Sequence, residues 1–266
     1  MSVTIERDGP VTTVIHNRPE ARNAMDPASA EALVEAFVAF DRDPDQSVAV
    51  FWGAGGAFCS GFDLKYAASL AGQDNPLAAL DLPDGKADAP RGPMGPSRLE
   101  LSKPVIAAIA GPAVAGGMEL ALWCDLRVME ESAYMGVYCR RWGVPLIDGG
   151  TVRLPRIVGR GRALDIILTG RKLTAEECHQ IGLANRIAPH GKSREAAEEL
   201  AREIARFPQA CMRADRRSVY LQEDLSERDA LRSEWRNSHP VFEQEGAAGA
   251  ARFASGKGRG GNFGDI

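Results

Sequence analysis

Residues 107–125 read AAIAGPAVAGGMELALWCD, and their reading decides the fold. Lys103-Pro104 closes off what precedes them. Val105 to Ala110 (VIAAIA) is then an apolar run with β-branched residues, the pattern of a buried strand. Gly111-Pro112 turns the chain, and Gly116-Gly117 removes side chains where a helix begins. From Met118 to Trp123 every residue except Glu119 is apolar. This strand, turn and helix start leave unpaired backbone N–H groups at a positive helix end, with a carboxylate just inside it. Such a place holds an oxyanion and a general acid/base within one ligand's length of each other. The same glycines also suit a tight strand-to-helix crossover that needs close packing and nothing more.

The flanking segments supply the rest of an α/β core. Residues 11–15 (VTTVI) follow Asp8-Gly9-Pro10 as the second arm of an N-terminal hairpin. Residues 18–26 (RPEARNAMD) form a polar loop. Pro27 then opens a helix over 28–41, with Leu33, Phe37 and Phe40 at helical spacing. Residues 48–52 (VAVFW) are a continuous apolar strand. The turn after it, Gly53-Ala54-Gly55-Gly56-Ala57-Phe58, lacks the last glycine of a dinucleotide fingerprint. Ser60 has neither a nucleophile elbow nor a nearby histidine. What this loop offers is a second exposed N–H, at Phe62. Residues 71–96 are rich in proline and glycine and read as a mobile surface segment or lid beside the site.

Downstream, 125–129 is a further strand, and 151–157 and 162–168 carry helical spacing. Thr174 caps a helix that ends at Gly182, and 183–187 is a short strand or edge. From Ser193 the pattern is helical: Ser193 caps 194–207, Pro208 stops it, and helices over 209–221, 226–238 and 240–254 follow. Helices without their own sheet must bury a face on the core or on a sister subunit. The chain therefore divides into a core, 1–192, and a helical oligomerisation region, 193–266.

The 266 residues are 44% hydrophobic and 26% charged, enough for a sizeable core in an ordinary globular protein. A net charge of −4 gives no electrostatic reason to expect nucleic acid. The five cysteines show no CxxC spacing and suit reduced core positions better than a disulfide frame or a metal site. There is no charged-then-apolar leader and no run near membrane length. The expectation is a cytoplasmic protein without a metal, a membrane or a nucleic-acid partner.

Five stretches in order, NRPEARNAMD, GAGGAFCSGFDLK, KPVIAAIAGPAVAGGMELALWCD, GVPLIDGGTVRLPRIVG and GRKLTAEECHQIGLANRI, resemble the crotonase (enoyl-CoA hydratase/isomerase) family over nearly the whole chain. The resemblance implies an α/β crotonase (ClpP/crotonase-like) fold of repeated ββα units, with two stacked sheets and a C-terminal helical region used for trimer formation. It implies a homotrimer or a hexamer built as a dimer of trimers. It also implies an acyl-CoA substrate, coenzyme A being part of the substrate and no separate cofactor being needed. By motif position the oxyanion-binding amides fall on Phe62 and Gly116. The CoA contacts fall on the loop Arg22, Asn23 and Ala24 and on Asp63, Leu64 and Lys65, with Phe253 and Lys257 as a looser match in the C-terminal segment.

Of the two glutamates that hydrate a 2-enoyl thioester in typical members, the first falls on Glu119 and the second on Cys139. A thiol titrates near 8.5 and binds water poorly, so Cys139 does not replace a carboxylate and suits a small buried position or the acyl pocket. Asp148, in Leu146-Ile147-Asp148-Gly149-Gly150, offers another carboxylate across the pocket, or an Asx turn that starts the next helix. Trp142 suits the acyl pocket or the core. The resemblance thus implies an enoyl-CoA hydratase-like lyase with Glu119 as principal acid/base and Asp148 as partner. The alternatives are an isomerase, a decarboxylase or a non-catalytic acyl-CoA-binding protein.

Overall fold

Two strands joined at Gly9-Pro10, β1 (Val3–Asp8) and β2 (Val11–His16), form an antiparallel hairpin at one edge of a six-stranded sheet. The computed structural model describes residues 1–74, 76–82, 90–258 and 260. Helix α1 (Pro27–Arg42) starts on Pro27, and the Asp26 carboxylate caps it by accepting from Ser29 N. Strand β3 (Val48–Gly53), the short helix α2 (Leu64–Ser69) and β4 (Val105–Ile109) follow. After β5 (Pro112–Val114) come helix α3 (Gly116–Trp123) and strands β6 (Leu126–Glu130) and β7 (Tyr134–Gly136). Helices α4 (Gly150–Val158) and α5 (Arg160–Thr169), strand β8 (Leu173–Thr174), helix α6 (Ala175–Gln180) and strand β9 (Arg186–Ala188) complete the α/β part. The larger sheet runs β1-β2-β3-β4-β6-β9, parallel from β2 onward. The smaller is β5-β7-β8.

Both faces of the larger sheet are covered, which is why its strands read as unbroken apolar runs. Ala49, Phe51, Ala107 and Ile109 face the main core, with Leu33, Phe37 and Phe40 of α1 and Met118, Leu120 and Ala121 of α3. The alternate residues Val48, Val50, Ile106 and Ala108 face the other way, against Ala197 and Ala201. Those alanines belong to α7 (Ser193–Ala205), so the first helix of the C-terminal region packs on the sheet. Ser193 does not cap it. Its hydroxyl donates to Glu130 Oε1 at 2.9 Å, holding the buried Glu130 carboxylate at the end of β6.

Helices α8 (Gln209–Leu221) and α9 (Glu227–Val241) pack on each other, and Ser226 caps α9 through Asp229 N. The break expected before Pro240 does not occur. The proline is the penultimate residue of α9, and a π-helical turn, Phe242–Gly246, passes the chain on to α10 (Ala247–Ala254). The expected turn at Gly111-Pro112 is also shorter than read, because Pro112 already lies in β5. No helix among the described residues is long and apolar enough to cross a membrane.

Candidate active site

Two turns meet at the start of α3. Cys59 N donates to Pro112 O at 3.1 Å and Val114 N to Cys59 O at 3.0 Å, so residues 59–61 run alongside β5. A side-chain carbon on Gly61 would stand 2.9 Å from Ala115 Cβ and 3.2 Å from Gly116 N. Only glycine permits that approach, and Gly61 also sits at φ +99°. Ala115, the residue before α3, holds φ 55° and ψ −127°, a sparsely populated conformation for a residue with a side chain. It turns the chain so that α3 opens at Gly116 beside the Gly61 turn. Neither Phe62 N nor Gly116 N donates to an acceptor among the described residues. The positive end of α3 therefore presents an unspent amide next to the turn that carries another.

The loop expected to contact CoA is held to the same structure. Met25 N donates to Gly61 O at 2.8 Å, Asp63 N to Met25 O at 2.8 Å and Ser60 N to Arg22 O at 3.1 Å. Arg22, Ala24, Asp63, Leu64 and Lys65 are thereby brought onto two paired turns, with Arg22, Leu64 and Lys65 exposed. Asp63 has structural work there: its carboxylate caps α2 by accepting from Lys65 N and Tyr66 N, and it pairs with Arg18 at 3.2 Å. Asn23 is the buried polar member of the loop. Its side chain donates to Ala54 O and Ala57 O and accepts from Arg18 N, so it ties the loops together. Phe253 lies on α10 and Lys257 just past it, in the helical region.

Glu119 sits in the first turn of α3 and is 3% exposed. Its Oε1 accepts from Gly150 N at 2.8 Å and from Asp148 N at 3.0 Å. Its Oε2 has no partner among the described residues and is not sealed from solvent. Burial, followed by the charge of Asp148, pushes the carboxyl up to about 7 against the two amide hydrogen bonds. Asp148 is also 3% exposed. Its Oδ1 accepts from Met94 N at 3.0 Å and from the Ser97 hydroxyl, and its Oδ2 is likewise unpartnered among the described residues. Burial raises this carboxyl as well. Its side chain does not cap α4, which excludes the Asx-turn reading. Arg153 locks the arrangement, donating from Nη1 to Asp148 O at 2.9 Å and from Nη2 to Ser97 O at 2.7 Å.

Each carboxylate thus spends one oxygen on being held and keeps the other free. That division suits a group that must stay in place while it exchanges a proton. Cys139 is 7% exposed, and burial, helped by the neighbouring Glu119 charge, pushes its thiol up, so it remains a neutral thiol. Trp142 does not belong to the core of this chain. It ends the helical turn Tyr138–Trp142, Gly143 reverses the chain in the left-handed region, and the indole is left 70% exposed.

Met94, Ser97 and Arg153 were not found in the sequence. Met94 falls in the stretch read as a mobile lid and Ser97 directly follows it, yet both are about 1% exposed and pinned to Asp148. Residues 75 and 83–89 of that stretch lie outside the described residues.

A six-stranded and a three-stranded sheet, two neighbouring turns that each carry an unspent amide and a buried carboxylate pair define an α/β protein with an acid/base site. Residues 6–257 match the family model Enoyl-CoA hydratase/isomerase, and the chain belongs to that family. It is 36% identical over 245 residues to the enoyl-CoA hydratase EchA19 of Mycobacterium tuberculosis, covering 90% of this chain and 87% of that one. It is 34% identical to an (E)-benzylidenesuccinyl-CoA hydratase of Thauera aromatica, covering 85% and 84%. Among solved structures, the enoyl-CoA hydratase EchA1 from Mycobacterium marinum superposes with a TM-score of 0.85 at 32% identity, covering 96% of each chain. The crotonase fold expected from the five stretches is the fold observed.

Proposed function

We propose that the protein is an enoyl-CoA hydratase-type lyase, adding water across the double bond of a 2-enoyl-CoA thioester and removing it in reverse. The observation that carries this is Glu119, one oxygen gripped by two amides and the other open, with a carboxyl that titrates near neutrality. The thioester oxygen sits between Phe62 N and Gly116 N. Glu119 Oε2 takes a proton from water as the water oxygen bonds to the β-carbon. The double-bond electrons move into an enolate whose charge rests on the thioester oxygen, where one preorganised amide is worth about 2.7–4 kcal/mol. The protonated Glu119 then gives that proton to the α-carbon, which restores its carboxylate. Asp148, whose charge helps raise the Glu119 carboxyl, faces the same water as its partner. These steps draw only on the chain's own groups and the substrate's CoA. Arg22 and Lys65, exposed beside the Phe62 turn, meet the phosphates of CoA.

Hydration of crotonyl-CoA in oxygen-labelled water tests this reading: label in the 3-hydroxy product supports it, and its absence defeats it. Because Glu119 accepts the proton as a carboxylate, kcat/KM for hydration rises with pH through about 7 and then levels. A rate that does not change between about pH 6 and pH 8 removes Glu119 from that role. The neutral Cys139 thiol favours a second reading, an enoyl isomerase that shuttles one proton on Glu119. It predicts conversion of 3-enoyl-CoA to 2-enoyl-CoA with no label uptake.

The assembly we propose is a homotrimer, or a hexamer of two trimers, in the cytoplasm. Its support is the apolar surface on the C-terminal helices: Val219, Leu231, Trp235 and Phe242 are each 60–69% exposed in the single chain. The five cysteines are all free, in keeping with a reducing compartment. Light scattering is expected to return three or six times the chain mass, and a monomer at micromolar concentration would refute this.

A further inference from the structure

We propose that Met94 is a specificity-determining residue, the adjustable wall against which the acyl chain of the substrate is measured. The proposal rests on the hydratase reading for the position of the thioester.

The main chain around Met94 is fixed from several sides. Gly92 and Gly95 exchange hydrogen bonds, N to O at 3.1 Å and 2.9 Å, closing a tight turn with Met94 near its tip. Gly95, at φ +78°, is seated on α1, where an added Cβ would come within 2.7 Å of Ala30 O. An added Cβ on Gly92 would stand 2.5 Å from Asp148 Oδ1. Met94 N donates to that oxygen, Ser97 donates its hydroxyl to it, and Arg153 holds Ser97 O. The backbone therefore has little freedom to move aside.

The side chain is different. An added Cβ on Gly116 would lie 2.5 Å from Met94 Sδ, 2.8 Å from its Cγ and 2.9 Å from its Cε, so the thioether lies directly on the glycine whose amide receives the thioester oxygen. With its amide on Asp148 and its side chain on Gly116, Met94 borders the space where the α- and β-carbons and the first part of the acyl chain must run. An unbranched thioether with three rotatable bonds is the side chain best able to give way to a ligand while still filling the gap without one. A rigid turn carrying one pliable side chain makes a size filter, and its setting is the volume of residue 94.

The test compares wild type with Met94→Ala, Met94→Phe and Met94→Leu on trans-2-enoyl-CoA thioesters from crotonyl to dodecenoyl, reading kcat/KM for each. The ratio of dodecenoyl to crotonyl turnover is expected to rise about tenfold in Met94→Ala, fall about tenfold in Met94→Phe and stay within about twofold in Met94→Leu, whose volume is conserved. A ratio unmoved in both Ala and Phe variants, or moved the same way in both, overturns the proposal while leaving the hydratase reading intact. If only one of the two folds by circular dichroism, the sign of its shift decides. A wild type that turns over no member of the panel defeats the hydratase reading and this inference with it.

Discussion

Glu119→Gln is expected to lower kcat/KM for hydration of crotonyl-CoA by about 10²–10⁴-fold, the range for a lost general acid/base. The substitution is nearly isosteric, and the amide oxygen of glutamine can still accept from Gly150 N and Asp148 N, so the fold and the position of the group survive. What is lost is the capacity to take up and release a proton at Oε2. Stability moves in the opposite direction. The native carboxyl titrates near 7 and an unfolded glutamate near 4.5, so the folded state binds the proton more tightly. Stability associated with the protonated form is full below the unfolded value and is lost as pH rises through the folded one. Above that window wild type carries a penalty of up to about 3 kcal/mol that glutamine lacks. Urea unfolding at pH 8 should therefore find the inactive variant the more stable of the two. A variant that keeps wild-type turnover would remove Glu119 from the chemistry and leave a non-catalytic acyl-CoA-binding role in its place.

Gly117→Ala is expected to lose about 4 kcal/mol of stability or more, at the extreme of single substitutions. The added methyl would stand 2.1 Å from Cys59 O, 2.7 Å from Cys59 C and 2.8 Å from Cys59 Cβ. These are atoms of a backbone segment tied to β5 by two hydrogen bonds, so they cannot retreat without separating the Phe62 turn from α3. Turnover should fall with stability, because the two amides would no longer share one oxygen. Gly116→Ala is the control: the three atoms nearest its methyl all belong to the pliable Met94 side chain, so it should cost less. Denaturant midpoints for the pair decide the matter, and equal midpoints would show that the close approach of the two turns is not what holds the site.

Much of this was legible before any coordinates. VAVFW and VIAAIA announce strands covered on both faces because β-branched and aromatic runs without polar alternation fit nowhere else in a domain of this size. Gly116-Gly117-Met118-Glu119 announces a helix start with free amides and a carboxylate in its first turn, since that spacing is local and covalent. Other signals of the same kind misled. Ser193 looks like a cap, but a buried carboxylate 63 residues away claims its hydroxyl. Trp142 looks like core, but the left-handed Gly143 turns the chain so that the ring faces outward.

The order of residues along the chain determined the family, the strand and helix pattern, and the placing of Glu119 one turn inside a helix that opens on glycine. The pattern and the placing of Glu119 follow from contacts between near neighbours, which periodicity and turn chemistry record, whereas the family is read from the resemblance of five stretches in order. Tertiary structure alone decided which oxygen of Glu119 stays free, that Asp148 holds the turn of Met94 from 54 residues away, and that Met94 lies on Gly116. Those facts depend on how loops close over a finished sheet, and loop closure leaves no local pattern in the sequence.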